Sequence, residues 1–503
     1  MDIEYIIVQA GGKGTRMQRL TANKPKALVS INNKPMMFHL FDKYPDKKFI
    51  IIGDYKFDVL QKYLASFAKV DYLLVDARGD VGTCAGLQGA IDLIPDNKEF
   101  MLIWSDLILP EDYSIPDKKA NYIGISTDFP CRWMYKDDKF KEESSVEYGV
   151  AGFFIFENKK VIDNVPREGE LVRWMQQENM IFEPSSLART KEYGLIEEYN
   201  KIQKMKCRPF NKMEILGDKI KKYGIDEQGI KLGKIETAWY KKVQECGYTK
   251  IPKIYEYEPL IMEKIEGGNI YEMKDRSLYD KEQFLKKLID SLKDLHGLDK
   301  CDTNYFDIYD NYVKKTFDRL SKVRDLVPFA NDEFININGK KCRNVFYYKD
   351  KLEDAFRKYR VEAFEFIHGD CTFSNLMYDA NGNPVLIDPR GYFGSNQYYG
   401  DPLYDWAKLY YSLKGNYDQF NLGNFDLEIT EDAVTLNIES NEWEALEETF
   451  IKEVESVCDI RYMKLIHAVI WLSLTTYAWN DYDMICGAFY NGLLYLEECL
   501  DMF

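Results

Sequence analysis

Two strings composed for phosphate chemistry lie more than a domain's length apart in this chain: Gly11-Gly12-Lys13-Gly14-Thr15-Arg16-Met17 near one end, and His368-Gly369-Asp370-Cys371-Thr372-Phe373-Ser374-Asn375 near the other. In the first, glycines let the backbone close on a ligand, and successive amide N–H groups can surround phosphate oxygens with no side chain between. In the second, a carboxylate and a carboxamide recur at short spacing. A chain of 503 residues exceeds what one hydrophobic core holds. The strings therefore predict separate domains, each handling phosphate in its own site.

Composition narrows the class. A formal charge of -16 argues against a protein that coats nucleic-acid backbones, which needs excess basic surface. The ten cysteines are scattered, without the CxxC pairs of a zinc site, and read as reduced thiols. No apolar run approaches the roughly 18–20 residues of a membrane span. The glycine loop also arrives too early for a signal peptide, so the expectation is a soluble, cytoplasmic protein.

Tyr5 to Val8 is an apolar run that stops at Gln9-Ala10-Gly11-Gly12, as a buried parallel strand feeding a loop does. Lys13 and Arg16 offer charge to a triphosphate. The string lacks the lysine-Ser/Thr ending of a P-loop and the spaced glycines of a dinucleotide fold. Phe49 to Gly53 and Tyr72 to Val75 read as further strands. Phe100 to Trp104 reads as another, and delivers Asp106 to its C-terminal end, where open α/β sheets place ligands.

Ala10 to Met17, with Leu20-Thr21 and Lys24-Pro25-Lys26-Ala27-Leu28, resembles the sugar-phosphate and phosphocholine nucleotidyltransferase family. The resemblance implies a Rossmann-like α/β domain over residues 1–200. Gly11, Gly12 and Gly14 would lie against the nucleotide, and Gly82 would serve the base and ribose from the loop Gly79 to Leu87. Lys13, Arg16 and Lys26 would share the electrostatic work. It further implies magnesium held by Asp106 and by Glu197, and direct attack of a substrate phosphate on the α-phosphorus. Glu147 to Phe156 would supply a strand beside the acceptor.

Beyond residue 200 the apolar pattern restarts without a Gly/Ser or Pro-rich tether. Lys219 to Tyr223 reads as a strand whose period of two sets Lys222 on the face of Ile220. Glu236, in a helical segment, is placed to orient that lysine. Arg208-Pro209-Phe210-Asn211 is expected as the loop over the nucleotide. Leu260 to Gly268 reads as a strand entering a hinge, where the backbone of Glu263 and Ile265 would meet an adenine edge.

His368-Gly369-Asp370, Asn375 and the strand-ending Asp388 of Val385-Leu386-Ile387-Asp388 resemble the aminoglycoside phosphotransferase and choline kinase superfamily. The resemblance implies an α+β, bilobal, protein-kinase-like domain, with an N-lobe over 201–266 and a C-lobe over 267–503. Asp370 would accept the proton of a substrate hydroxyl, and Asn375 and Asp388 would hold magnesium. His368 and Asp405 are expected to support the catalytic loop, His296 to fix a loop nearby, and Arg390 to contact phosphate or order the metal loop. An aromatic cage for a quaternary ammonium ion is open to Tyr410, Tyr411, Trp471, Tyr477, Trp479 and Tyr482.

The resemblances together predict a bifunctional enzyme. One domain phosphorylates a small molecule with ATP; the other joins the phosphate ester to a nucleotide from a second triphosphate, CTP or UTP, for surface glycan or lipid assembly. A neutral sugar yielding an NDP-sugar is the favoured acceptor, choline yielding CDP-choline the next, and a polyol the third. The alternative of another class is a nucleotide-binding regulatory protein with decayed catalysis.

Overall fold

The computed structural model describes residue 1, residues 3–202 and residues 211–503. The chain divides into two compact units, Met1–Gln203 with Trp479–Asp483, and Lys204–Ala478 with Met484–Phe503.

The first unit is built on a mixed sheet. Its parallel core has the order Phe100–Trp104, Tyr5–Gln9, Lys48–Gly53, Tyr72–Asp76. Ile6, Ile7 and Val8, Ile50, Ile51 and Ile52, and Met101, Leu102 and Ile103 are all buried, as uninterrupted runs in a sheet covered on both faces must be. Each such side chain contributes roughly 1.5–3 kcal/mol when fully buried. Gly149–Phe156 pairs antiparallel with Phe100–Trp104 and extends the sheet. The chain leaves Tyr5–Gln9 toward one neighbour and later returns to its other side through Phe100–Trp104. Open α/β sheets bind ligands at such a reversal, at the C-terminal ends of the strands, and the glycine loop and Asp106 follow those ends here.

Trp479–Asp483 lies inside the stretch expected for the C-lobe, 267–503, yet groups with the first unit. Lys24, almost fully buried, pairs with Asp481 at 2.9 Å and Asp483 at 2.5 Å. The Tyr63 hydroxyl donates to the Trp479 carbonyl, and the Trp479 ring lies 5.8 Å from that of Phe38.

The second unit begins with an antiparallel sheet ordered Asn211–Leu216, Lys219–Gly224, Leu260–Glu263, Ile254–Tyr257. The helix Glu227–Glu245 starts at Asp226, whose carboxylate accepts from the Gly229 amide at 2.7 Å. Its buried face carries Glu236, Trp239, Tyr240 and Val243 at helical spacing. Gly224 lets this helix approach the strand, since a Cβ there would sit 2.2 Å from the Gly229 carbonyl carbon. The remainder is chiefly helical, including Leu278–His296, Lys315–Val323, Pro402–Leu413, Ile460–Leu474 and Tyr482–Cys499. Among the described residues no helix is long and apolar enough to cross a membrane, and nine cysteines are free thiols. Arg208, Pro209 and Phe210, expected over the nucleotide, lie outside the described residues; Asn211 opens the first strand.

Candidate active sites

In the first unit the glycine loop is laid over Lys26. Gly14 is left-handed (φ 63°), and a Cβ there would meet the Lys26 Cβ at 3.0 Å; the Lys26 amide donates to the Gly12 carbonyl at 3.4 Å. Gly11 packs against Asp54, 2.9 Å from where its Cβ would be. Lys26 forms an ion pair with Asp106, whose side chain is only 5% exposed. The other Asp106 oxygen, Oδ1, is buried without a hydrogen-bond partner among the described residues. Arg16 reaches the same place, while Lys13 is exposed and leans on Tyr55, 5.5 Å from its ring centroid.

A second carboxylate beside Asp106 is Glu192, whereas the expectation from the sequence was Glu197. Lys191–Glu192 pairs antiparallel with Leu107–Ile108, setting Glu192 opposite Leu107, and the Tyr193 amide donates to the Asp106 carbonyl at 3.1 Å. Glu192 Oε1, Arg16 Nη2 and Asp106 Oδ2 surround Gly194, at 2.6, 3.4 and 3.5 Å from the position its Cβ would take. Burial, then the neighbouring Asp106, push the Glu192 carboxyl upward, with Lys26 and Arg16 opposing. Glu197 is exposed on the short helix Ile196–Asn200.

Gly82 needs to be glycine because the backbone of Gly169 crosses it: φ is 95°, and a Cβ would sit 2.2 Å from the Gly169 carbonyl oxygen. The same loop is tied to the first strand by Gln9, which donates to the Thr83 carbonyl.

In the second unit the structure brings together Lys222, Glu236 and Asp388. Lys222 Nζ lies 2.8 Å from Glu236 and 2.6 Å from Asp388; the lysine and Glu236 are buried, while Asp388 is 42% exposed and faces outward. Burial opposes the lysine charge, and Asp388 and Glu236 more than offset it, holding the ammonium above its ordinary range. Asn375 Nδ2 donates to the Asp370 carbonyl at 2.9 Å and to its carboxylate at 3.0 Å. Lys408 Nζ is 3.1 Å from the other carboxylate oxygen, a neighbour absent from the sequence expectations.

Beneath Asp370 the loop is pinned from within. Asp405 accepts from the amides of His368 (2.8 Å) and Gly369 (2.7 Å) and from His296 at 3.1 Å. Burial opposes its ionisation, but His296 and then His368 hold its carboxyl below the usual range. His368 contacts the Ile387 carbonyl through Nε2 at 2.9 Å, and its Nδ1 accepts from the Asp370 amide at 3.2 Å. Burial lowers its pKa. The imidazole is thus tied at both nitrogens to backbone of this loop and of the strand end before Asp388.

At the hinge, the Glu263 amide donates to the Lys253 carbonyl at 2.8 Å and the Lys264 amide to the Asp218 carbonyl at 2.8 Å. Ile265 lines a cleft with Gly217, Asp218 and Gly267. The six aromatics considered for a cage do not share one site. Tyr410, Tyr411 and Trp471 are core residues, Tyr477 is half exposed, and Trp479 and Tyr482 group with the first unit.

Among known proteins, residues 5–122 match the model of the Nucleotidyl transferase family and residues 233–431 that of the Phosphotransferase enzyme family. The chain is 33% identical over 106 residues to the UTP–glucose-1-phosphate uridylyltransferase AglF of Haloferax volcanii, covering 20% of this chain and 43% of that protein. It is 27% identical over 185 residues to the mannose-1-phosphate guanylyltransferase catalytic subunit beta of Dictyostelium discoideum, covering 32% of this chain and 51% of that one. The crystal structure of HddC from Yersinia pseudotuberculosis aligns at 20% identity and a TM-score of 0.34, over 40% of this chain and 98% of its own. The chain thus spans about half or less of the length of these two curated relatives. The two family matches lie in series along the chain, one in each half.

Proposed function

We propose that the second unit phosphorylates a sugar with ATP and that the first unit converts the sugar phosphate, with CTP or UTP, into a nucleoside diphosphate sugar and pyrophosphate. The observation that carries this reading is the presence in one chain of two separate lysine–carboxylate centres, Lys26 with Asp106 and Glu192, and Lys222 with Glu236 and Asp388. Names of curated relatives, a glucose-1-phosphate uridylyltransferase and a mannose-1-phosphate guanylyltransferase, support a sugar phosphate as the acceptor of the first unit.

In the second unit Lys222, steadied by Glu236, neutralises ATP phosphate charge. Asp370, held by Asn375, accepts the hydroxyl proton as the sugar oxygen bonds to the γ-phosphorus, the bond to the β–γ bridging oxygen breaks and ADP leaves. In the first unit an oxygen of the sugar phosphate bonds to the α-phosphorus while pyrophosphate departs. The acceptor brings its own charged nucleophile, so the protein has chiefly to position and neutralise, through Lys26, Arg16 and Lys13. The residues present fit magnesium. The orphaned Oδ1 of Asp106, with Glu192, would hold it in the first unit, and Asn375 with the outward-facing Asp388 in the second. When bound, the ion neutralises phosphate charge.

Paired substitutions test the division of labour. Asp106→Asn should abolish pyrophosphate release from supplied sugar phosphate and leave ATP-dependent phosphorylation intact. Asp370→Asn should do the reverse, with a loss of roughly 10²- to 10⁴-fold. Wild-type turnover of both reactions by either folded variant would refute the assignment.

A further inference from the structure

Four cations gather near Asp370: Lys408, Arg390, Lys315 and Arg319. Lys408 touches Asp370 itself, and its ammonium lies 5.9, 5.2 and 5.9 Å from the ring centroids of Tyr404, Tyr411 and Tyr417. Arg390 shares the Tyr404 ring: its Nη1 donates to the Tyr404 hydroxyl at 3.1 Å, and its guanidinium stacks 4.4 Å from Tyr392. Lys315 and Arg319 lie one turn apart on the helix Lys315–Val323, which follows directly on the π-helical turn Asp310–Lys314. Single π turns are frequent at functional sites.

The charges facing Lys315 are Arg390, Arg319 and Lys408, with Asp310 the opposing acid. Arg319 is held by the Ser473 carbonyl at 2.6 Å and hydroxyl at 3.0 Å, and faces Tyr404, Arg390, Tyr477 and Tyr392. Among the described residues, no carboxylate forms an ion pair with Lys315, Arg319 or Arg390, in a chain whose formal charge is -16. Burial, then these three cations, pull Lys315 down to about 7. Lys408 has Asp370 as its counter-ion and Arg390 feels the same carboxylate, but Lys315 and Arg319 lie half-buried beside them with no ion-paired carboxylate among the described residues. Like charges held this way are costly, and an arriving anion removes the cost. Lys222 pairs with Asp388, whereas Lys408 pairs with Asp370, the proposed base, and lies against the Tyr404 ring.

We propose that Lys315, Arg319, Arg390 and Lys408 form the acceptor site of the second unit, and that the acceptor carries a carboxylate or phosphate besides the hydroxyl that is phosphorylated. This rests on the kinase reading and replaces the neutral sugar expected from the sequence with an acidic one. The aromatic rings around Lys408 are occupied by the protein's own cation, which disfavours choline there. Phosphorylation leaves the anionic group untouched: the hydroxyl oxygen takes the γ-phosphoryl group, its proton goes to Asp370, and ADP leaves.

The test is full-length protein with magnesium and ATP, assayed for ADP and phosphorylated product against matched acceptors: glucose, glucuronate, glucose 6-phosphate and choline. At least tenfold higher kcat/KM for glucuronate than for glucose supports the proposal with a carboxylate acceptor, and the same preference for glucose 6-phosphate supports it with a phosphate. Raised ionic strength should erode that preference. Turnover of glucose or choline equal to or above both anions overturns the proposal while leaving the kinase reading standing. Phosphorylation of none of the four overturns both. Lys315→Met and Arg319→Met, each checked for an unchanged melting profile, should raise KM for the preferred anion at least tenfold with a smaller change in kcat. An unchanged KM in both folded variants also overturns it.

Discussion

The buried pairing of Lys24 with Asp481 and Asp483 makes the first unit depend on residues from the far end of the chain. Lys24 is 1% exposed, and Asn23 Nδ2 donates to Asp483 at 3.0 Å beside it. Burial opposes the lysine charge, and the two carboxylates more than offset it, so its pKa stands above the ordinary range. Asp481→Asn with Asp483→Asn would leave a buried ammonium with no counter-charge, a loss of about 3–5 kcal/mol. At 1.4 kcal/mol per decade, globally exchanging amides of the first unit should exchange roughly 10²- to 10⁴-fold faster. Hydrogen exchange resolved by peptide in the full chain reads Tyr5–Gln9 and Lys48–Gly53 separately from Leu278–His296 of the second unit. Adding Lys24→Met to the double variant removes the stranded charge and should recover much of the protection. Unchanged exchange in the double variant, or further loss on adding Lys24→Met, would refute the reasoning.

Glu192→Gln should lower pyrophosphate release by roughly 10²-fold or more, while Glu197→Gln leaves it near wild type; steady-state release from supplied sugar phosphate distinguishes them. The second unit should lose stability on acidification through His467, whose pKa burial lowers to about 3, with Lys464 and Lys414 adding to the effect. The unfolded imidazole binds a proton below about 6.5 and the folded one does not, so its contribution is complete above that pH and falls by roughly 4 kcal/mol toward pH 3. Melting followed from pH 4 to 8 should therefore show a shallower acid limb for His467→Gln, and parallel limbs would exclude His467 as the cause.

Local signals carried much of both centres. The apolar run before Gly11 ends as a buried strand ends, and a period of two was enough to turn Lys222 inward toward Glu236. Asp388 closes on the same lysine from far along the chain, and only the family resemblance pointed to it. Glu192 had no local signal: its strand is two residues long, and its place beside Asp106 comes from pairing with Leu107–Ile108. The cationic cluster is spread over a helix, a loop after Asp388 and the helix Pro402–Leu413, so no single window of sequence displays it. Trp479 to Asp483 falls within the stretch read as a kinase C-lobe, and its packing against Lys24 and Phe38 has no local signal in sequence.

The central claim is that one chain makes a phosphate ester and then consumes it. The direct measurement is a single incubation of full-length protein with magnesium, ATP, one of CTP, UTP, GTP or dTTP, and an unphosphorylated acceptor, followed over time by mass spectrometry. The acceptor panel comprises neutral and acidic sugars, choline and polyols. The prediction is that an acceptor phosphate appears first and declines as its nucleotide adduct and pyrophosphate rise together, with Asp370→Asn stopping both unless the phosphate ester is supplied. A phosphate ester that accumulates and is converted with none of the four triphosphates would contradict the account.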